Sequence, residues 1–310
     1  MHRAPLKISV VIAVRNGART LQRALDSAFE QTHEALEVIV IDGASTDGTQ
    51  AVIEANAARI AYWQSEPDRG VFQAWNKALD HTTGDWISFL GADDRYSAPE
   101  VFARIATVLA ADHERHLVAY GYLNKIRLDG SVVRSTVGPW TKSQRKWFWR
   151  GVMIPHPASF HHRKLFERHG RFDERFRIAG DYELLLREFL DHDPLFIPEL
   201  VVEVAGGGIS DRRSNVYRMQ REVYLAQYMH GLERTPPWRS FRLLRRMLRI
   251  WFVRHLGVGA AKQIGETYRF ISRMPRRIAD RAPWGSHPGR LSEGLNGRAK
   301  LRARGADREE

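Results

Sequence analysis

Three short apolar runs, each ending at a polar loop, constrain the fold of this chain most. They occupy residues 8–14, 37–41 and 86–90 and are rich in Val, Ile and aromatic side chains. Such runs are typical of parallel strands that are buried on both faces. Between the first two runs and after the second, residues 20–31 and 49–58 repeat apolar side chains at helical spacing. Alternating strands and helices predict an α/β fold with right-handed parallel crossovers.

The polar residues that follow these runs predict where a ligand binds. They are Arg15-Asn16-Gly17, Asp42-Gly43 and Asp93-Asp94. The carboxyl ends of the strands in an open α/β sheet converge on one crevice, where ligands bind. The sequence has neither a G-x-G-x-x-G motif after the first strand nor a G-x-x-x-x-G-K-[ST] motif. The absence of both argues against a Rossmann dehydrogenase and a P-loop nucleotidase.

The carboxylates at two strand ends have two interpretations each. Asp93 and Asp94 are adjacent like charges, which a divalent cation with oxygen ligands would accommodate; otherwise they form a turn or cap the next helix. Asp42 can accept hydrogen bonds from a ribose or a base edge, or it is a turn residue before Gly43. The sequence contains no cysteine, which excludes thiol catalysis and a cysteine-ligated metal.

Beyond residue 111 the pattern is mixed, and we expect strands at 117–123 and 125–134 and a helix at 184–190 that follows Asp181. Taken alone, Asp181 could be the N-cap of that helix. Several tryptophans either stack on sugar rings or belong to the core; they are Trp86, Trp140, Trp147 and Trp149.

The positive charge is confined to the C-terminal quarter. The net charge is +12, yet residues 1–230 contain 29 basic and 29 acidic residues, whereas residues 231–310 contain 19 and 7. We therefore expect a charge-balanced domain at 1–230, divided into halves at 1–115 and 116–230. A basic helical extension at 231–284 and a disordered tail at 285–310 follow.

The basic extension predicts a partner with negative charge. Its apolar face contains Leu244, Met247, Leu248 and Trp251, and arginines occupy the other face. A helix of this kind suits an anionic membrane surface; the alternatives are packing on the domain at 1–230 and binding to nucleic acid. No apolar run reaches the roughly 18 residues of a membrane span, so we expect a cytoplasmic protein that associates peripherally with the inner face of the membrane.

Seven sequence blocks, in order, resemble family 2 glycosyltransferases of the GT-A fold. Four lie in the first 95 residues: I-S-V-V-I-A-V-R-N (8–16), V-I-D-G-A-S-T-D-G-T (40–49), E-P-D-R-G-V-F-Q-A-W-N-K-A-L (66–79) and G-D-W-I-S-F-L-G-A-D-D (84–94). Three more resemble the acceptor side of that family: H-P-A-S-F (156–160), G-R-F-D (170–173) and G-D-Y-E-L (180–184). The resemblance implies a Rossmann-like, mostly parallel sheet flanked by helices, followed here by the basic extension.

The resemblance also implies an inverting transfer from a nucleotide-diphosphate sugar, with Asp181 as the base that deprotonates the acceptor hydroxyl. It implies that Asp94, with help from Asp93, holds a divalent cation, Mg²⁺ or Mn²⁺. The donor would be bound by Asp93 at the ribose or sugar, by Asp42 at the nucleobase, and by a base pocket lined by Ala13, Arg15 and Asn16.

Three further residues have a functional and a structural interpretation. Arg69 and Lys77 either neutralise the donor diphosphate or are solvated surface residues. His156, in a Pro-His-Pro turn, either orients the acceptor or the leaving phosphate, or packs in a loop.

Three positions depart from the family pattern. Gly91 replaces the first acid of the D-x-D triplet, Ala13 replaces a proline at the end of the first strand, and Trp75 replaces an arginine. The leading hypothesis is a sugar transfer to a lipid-linked or polysaccharide precursor of the cell envelope. The alternatives are a nucleic-acid-binding protein, which the neutral first 230 residues do not favour, and a non-catalytic scaffold that binds sugar nucleotides.

Overall fold

Between residues 5 and 233, the described part of the computed structural model contains nine strands and eight α-helices. Their bounds, in chain order, are β1 (Ile8–Val14), α1 (Leu21–Phe29), β2 (Leu36–Asp42), α2 (Thr49–Ala55), β3 (Tyr62–Ser65), α3 (Val71–Leu79), β4 (Trp86–Gly91), β5 (Arg95–Tyr96), α4 (Val101–Asp112), β6 (Val118–Ile126), β7 (Val132–Arg134), α5 (Lys142–Phe148), β8 (Ser159–His162), α6 (Arg163–His169), α7 (Gly180–Phe189), β9 (Leu195–Ala205) and α8 (Val216–Met229).

The structure describes residues 5–112, 114–126, 131–134, 137–206 and 215–233, and then positions 240, 241, 243–245, 247, 248, 250 and 251. All of them belong to one compact unit, residues 1–257.

The first half of the chain forms a parallel sheet, as the apolar runs predict. Strand β1 is central and pairs in parallel with β2 and β4, and β3 extends the sheet beside β2. The register places Val14 opposite Asp42, and Ala13 opposite Gly91. The polar loops that follow β1, β2 and β4 therefore lie side by side at one edge of the sheet.

The second half adds antiparallel strands, so the complete sheet is mixed. Strand β8 runs antiparallel to both β4 and β6, and β9 lies parallel to β6 and antiparallel to β5. The strand order along the sheet is β3-β2-β1-β4-β8-β6-β9-β5, with β7 paired to β6. The sheet is flanked by helices, which confirms the predicted fold class; the parallel pattern itself belongs mainly to the first half.

Apolar side chains alternate between the two faces of the sheet and build a separate core on each. Val10 and Ile12 face the core that contains α1 and α4, whereas Val11 faces the core that contains α3 and α7. Helix α7 is buried almost all round, as Tyr182, Leu184 and Leu186 show, which is expected of a helix enclosed by other elements.

Several predicted boundaries move. Helix α7 begins at Gly180 rather than at 184, because the residues before Leu184 already pack into the core. The helix predicted at 49–58 ends at Ala55 and is followed by a 3₁₀ turn at Ala57–Arg59. Trp86 is 1% exposed and therefore belongs to the core, one of the two roles considered for it. The Trp140 indole donates a hydrogen bond to Asp193 Oδ1 at 2.6 Å.

The described positions between 241 and 251 are helical, within the predicted basic extension, while residues 252–310 lie outside the described part. Leu243 is buried there, and Phe241 and Leu244 are 65% and 50% exposed. Among the described residues, no helix is both long and apolar enough to cross a membrane.

Candidate active site

The loops after β1 and β2 are hydrogen-bonded to each other. The Asn16 N–H donates to Ser45 Oγ at 2.7 Å, and Asn16 Oδ1 accepts the Thr46 N–H at 2.9 Å. The Gly17 N–H donates to Thr49 Oγ1 at 2.9 Å. Asn16 and Ala44 have φ angles of 54° and 55°, a left-handed conformation that is uncommon for non-glycine residues and is often found at functional sites. The predicted base-pocket residue Asn16 therefore also fixes the shape of the pocket.

Asp42 is fully buried beneath these loops and is already hydrogen-bonded. Its carboxylate accepts the Ser45 N–H at 3.0 Å and the Ser65 hydroxyl at 2.6 Å, and it also accepts the Ser45 hydroxyl. A carboxylate has about four acceptor positions, so little capacity is left for a nucleobase. In this structure Asp42 organises the turn that follows β2.

Asp68 is a residue of this region that the sequence analysis did not single out. Its Oδ2 stands where a Cβ on Gly43 would be, and its Oδ1 accepts the Gly70 N–H at 2.8 Å. The Arg15 side chain also reaches Gly43. Gly70 has a φ of 131°, a backbone conformation that favours glycine. The signal in the sequence was the E-P-D-R-G segment, in which a carboxylate precedes an arginine and a glycine.

Asp94 is held in place by the neighbouring strand. Its Oδ1 accepts the Ala205 N–H at 2.9 Å, a contact made possible because β5 pairs with β9 directly beside it. Asp94 is only 5% exposed. Burial, and then the adjacent charge of Asp93, raise the pKa of the Asp94 carboxyl to about 7. Arg23 of α1 donates to the Asp93 carbonyl at 2.6 Å and fixes the other side of the turn.

The carboxyl groups of Asp93 and Asp94 could supply part of the ligand set of a divalent cation. A cation beside them would offset the repulsion that raises the Asp94 pKa, and their oxygens are the donors that Mg²⁺ and Mn²⁺ prefer. Among the described residues there is no group of three or more His, Asp or Glu side chains able to hold a metal. The remaining ligands would therefore come from phosphate oxygens and water, which is common for Mg²⁺.

Arg69 and Lys77 are both paired with carboxylates. Arg69 lies 2.6 Å from Glu174 Oε2, and Lys77 lies 3.2 Å from Glu66 Oε2. Glu174 also accepts hydrogen bonds from the side chains of Gln73 and Asn76. Each of these carboxylates offsets the positive charge of its partner, while a guanidinium and an ammonium carry further N–H donors.

His156 is buried in an aromatic cluster. Its ring stacks on Trp75 with centroids 4.9 Å apart and an interplanar angle of 19°, and it also faces Phe89. Burial, with a smaller effect of His161, holds the pKa of His156 well below its usual range. The ring is therefore neutral at physiological pH, and its Nε2 has no hydrogen-bond partner among the described residues.

Asp181 is the second residue of α7. Its Oδ1 accepts the Tyr182 N–H at 2.8 Å. Burial is the main cause that raises the pKa of the Asp181 carboxyl to about 6, and the charge of Glu222 adds to it. A carboxylate with such a pKa is deprotonated at pH 7 and is a better proton acceptor than an ordinary aspartate.

An aromatic row connects Asp181 with His156. Gly180, just before Asp181, lies against the Phe72 ring so closely that a Cβ would be 2.8 Å from it. Phe72 packs on Trp75 at 5.4 Å, and Trp75 stacks on His156. Phe72 and Trp75 both belong to helix α3, which therefore packs between the segments that contain Asp181 and His156.

Solved structures with the same architecture identify the fold. One is Staphylococcus aureus TarS, with a TM-score of 0.57 and 17% sequence identity, covering 82% of this chain and 74% of that one. Another is a mannosyltransferase from Pyrobaculum calidifontis in complex with GDP-Man and Mn²⁺, with a TM-score of 0.54 and 18% identity, covering 88% and 76%. The fold is therefore the GT-A fold of glycosyltransferases.

Sequence comparison then gives the family. The family model for glycosyl transferase family 2 matches residues 9–170, and the chain belongs to this family and is a glycosyltransferase. An uncharacterized glycosyltransferase of Mycobacterium tuberculosis is 35% identical over 208 residues, which cover 66% of this chain and 78% of that protein. A PGL/p-HBAD biosynthesis glycosyltransferase of the same species is 32% identical over 192 residues, covering 60% and 70%.

Proposed function

We propose that the enzyme transfers a sugar from a nucleotide-diphosphate donor, a UDP- or GDP-sugar, to an acceptor hydroxyl with inversion at the anomeric carbon. The observation that supports this best is Asp181, a largely enclosed carboxylate at the start of α7 with a pKa raised to about 6. Structural neighbours were solved with UDP-GlcNAc and with GDP-Man, and these donors define the class to test.

In the proposed reaction Asp181 takes the proton of the acceptor hydroxyl while that oxygen attacks the anomeric carbon. The bond between the sugar and the diphosphate breaks, and its electron pair leaves with the nucleotide. Because the attack and the departure occur on opposite faces, the anomeric configuration inverts. General-base assistance of this kind contributes about 10² to 10⁴ in rate.

The donor would be bound at the carboxyl ends of the parallel strands. Ala13, Arg15 and Asn16 would line the nucleobase pocket, and Asp42 would reach the base only through the acceptor capacity that Ser45 and Ser65 leave on its carboxylate. Asp93 would contact the ribose or the sugar. Asp94 and Asp93 would hold Mg²⁺ or Mn²⁺, which neutralises charge on the leaving diphosphate when bound. Arg69 and Lys77 would contribute positive charge to the diphosphate through the N–H donors that Glu174 and Glu66 do not occupy.

The donor can be identified by thermal shift with a panel of nucleotide sugars, with and without Mn²⁺. We expect one donor to raise the melting temperature more in the presence of Mn²⁺, and Asp94→Asn to abolish that increment. The matched control is Asp191→Asn, at an exposed carboxylate that follows α7. If no nucleotide sugar shifts the melting temperature, the proposed donor class is wrong.

The acceptor proposed is a lipid-linked or polysaccharide precursor of the cell envelope, reached from the cytoplasmic face of an anionic membrane. This rests on the 19 basic residues against 7 acidic ones after residue 230 and on the exposed side chains of Phe241, Leu244 and Leu248. Each Lys or Arg near an anionic surface contributes about 1 kcal/mol of attraction. Packing of this helix on the catalytic domain through Leu244 does not agree with the exposure of that side chain.

Sedimentation with vesicles tests the membrane proposal. The full chain should sediment with vesicles that contain an anionic phospholipid and remain in solution with zwitterionic ones. The double variant Leu244→Ser, Leu248→Ser should sediment less while it keeps donor binding, and Val108→Ser, at an exposed apolar residue of α4, is the matched control. Equal sedimentation of the wild type with both vesicle types would refute the proposal.

A further inference from the structure

One carboxylate oxygen on α8 organises the backbone that leads into α7. Glu222 Oε2 accepts the N–H groups of Arg177 at 3.1 Å, Ile178 at 2.8 Å and Ala179 at 3.0 Å. Helix α7 begins at the next residue, Gly180. Successive amides that converge on one oxygen form an anion-binding concavity, and hydrogen bonds to a charged acceptor are roughly twice as strong as neutral ones.

Helix α8 holds the first turns of α7 at two more points. The Gln227 amide donates to Tyr182 Oη at 3.0 Å, and His230 Nε2 lies 2.8 Å from Glu183 Oε1. Tyr182 and Glu183 directly follow Asp181. Both α7 and α8 lie beyond the segment matched by the family model, which ends at residue 170.

These contacts matter because a general base works only within hydrogen-bond reach of the proton it removes. A displacement of about 1 Å in a reacting group can cost about 10²-fold in rate. The backbone from Arg177 to Ala179 sets the direction in which α7 starts and therefore where Asp181 stands. On the side of α7 that faces α3, Gly180 lies directly against the Phe72 ring, which limits movement of the helix start in that direction.

We propose that Glu222 is a positioning residue for the transfer reaction, which fixes the start of α7 so that the Asp181 carboxylate faces the reacting hydroxyl. The inference rests on the proposed function, in which Asp181 is the base. Glu222 itself need not touch the donor or the acceptor. Its negative charge has a second effect, since it raises the pKa of Asp181.

The test compares Glu222→Ala and Glu222→Gln with Arg221→Gln, a control at the exposed neighbouring position of α8. The assay is the release of nucleoside diphosphate from UDP-GlcNAc or GDP-Man with water as the acceptor, followed over pH 5–9. We expect Glu222→Ala to lower kcat by about 10²-fold with the donor KM unchanged. Glu222→Gln keeps an acceptor oxygen but removes the charge, so kcat should fall less and its acid limb should move to lower pH. Arg221→Gln should behave as the wild type.

Two results would overturn the positioning role. One is a kcat for Glu222→Ala within about twofold of the wild type. The other is a combination of two outcomes. In Glu222→Ala, kcat, the donor KM and the melting temperature would all change together, and in Glu222→Gln the acid limb of the pH profile would not move. A purely structural residue would give this combination. Asp181→Asn in the same assay separates the two proposals. If Asp181→Asn is inactive and Glu222→Ala is normal, only the role of Glu222 fails; if Asp181→Asn is fully active, the proposed base fails and the role of Glu222 with it.

Discussion

The Asp94 side chain occupies the space that a side chain on Gly91 would need. The Asp94 N–H donates to the Gly91 carbonyl at 3.0 Å, and the carboxylate folds back over the same residue, so that a Cβ on Gly91 would lie 3.0 Å from Asp94 Cγ and still closer to Oδ2. The glycine in place of the first acid of the D-x-D triplet is therefore part of the geometry that holds Asp94. An aspartate introduced at position 91 would displace the carboxylate that we propose holds the cation.

Gly91→Ala tests this relationship without any change of charge. We expect the added methyl group to push Asp94 out of place, to destabilise the fold by about 1–3 kcal/mol, and to lower Mn²⁺-dependent turnover at least tenfold. Melting temperature and initial rates over a Mn²⁺ titration measure the two effects. Gly138→Ala is the matched control, because a Cβ at Gly138 would meet no atom within 4 Å. Turnover by Gly91→Ala equal to that of the control would contradict the argument.

Asp94→Asn keeps the acceptor for the Ala205 N–H and removes the charge. Transfer in the presence of Mn²⁺ should fall by about 10²-fold or more, since the cation is worth several kcal/mol to such a reaction.

In the metal-free protein the Asp94→Asn variant should gain stability relative to the wild type as the pH rises. The folded-state pKa of about 7 lies above the ordinary 3.8, so the stability that Asp94 contributes is present below about pH 4 and is lost as the pH rises through 7. Urea midpoints at pH 5 and pH 8 measure this, and a constant difference between the two proteins would refute the assignment.

The activity of the wild type should rise with pH through the pKa of Asp181. A general base must be deprotonated, so log(kcat/KM) should increase with a slope of about one below pH 6 and level off above it. Asp181→Asn should bind the donor normally, lose about 10²-fold or more in transfer, and lack this limb. The measurements are a pH–rate profile and a donor-binding isotherm. An unchanged acid limb in Asp181→Asn would assign the titration to another group.

Gly180→Ala should damage the contact between α7 and α3. Its Cβ would lie 2.8 Å from the Phe72 ring, which can be relieved only if α7 moves and takes Asp181 with it. We expect a loss of about 1–3 kcal/mol in stability and a lower kcat. The double variant Phe72→Leu, Gly180→Ala should recover part of both, because the smaller side chain makes room and contacting residues couple energetically. Additive losses in the double-mutant cycle would show that this contact does not govern Asp181.

The first half of the fold was predictable because its signals are local. The apolar runs of β1, β2 and β4 and the helices between them leave only a few topologies under the crossover rule. The carboxyl ends of neighbouring parallel strands lie at the same edge, so the sequence predicts that Asp42, Asp93 and Asp94 lie there. The resemblance to the family added the roles proposed for Asp181 and His156, which the residue pattern alone had left as a cap and a loop histidine.

The second half was less predictable because its partners are distant in sequence. No periodicity indicates that β8 enters antiparallel beside β4.

The sequence by itself therefore determined the class of fold, the parallel half of the sheet and the edge at which the polar residues gather, because hydrophobic period and chain direction act over neighbouring residues. Only the tertiary structure decided what surrounds each of them: Ala205 against Asp94, Phe72 against Gly180 and Glu222 against Ala179. These contacts join segments separated by 111 residues in the first case and 43 in the last. Packing of side chains across the whole core selects such partners, and it also decides which carboxylates are buried and have raised pKa values.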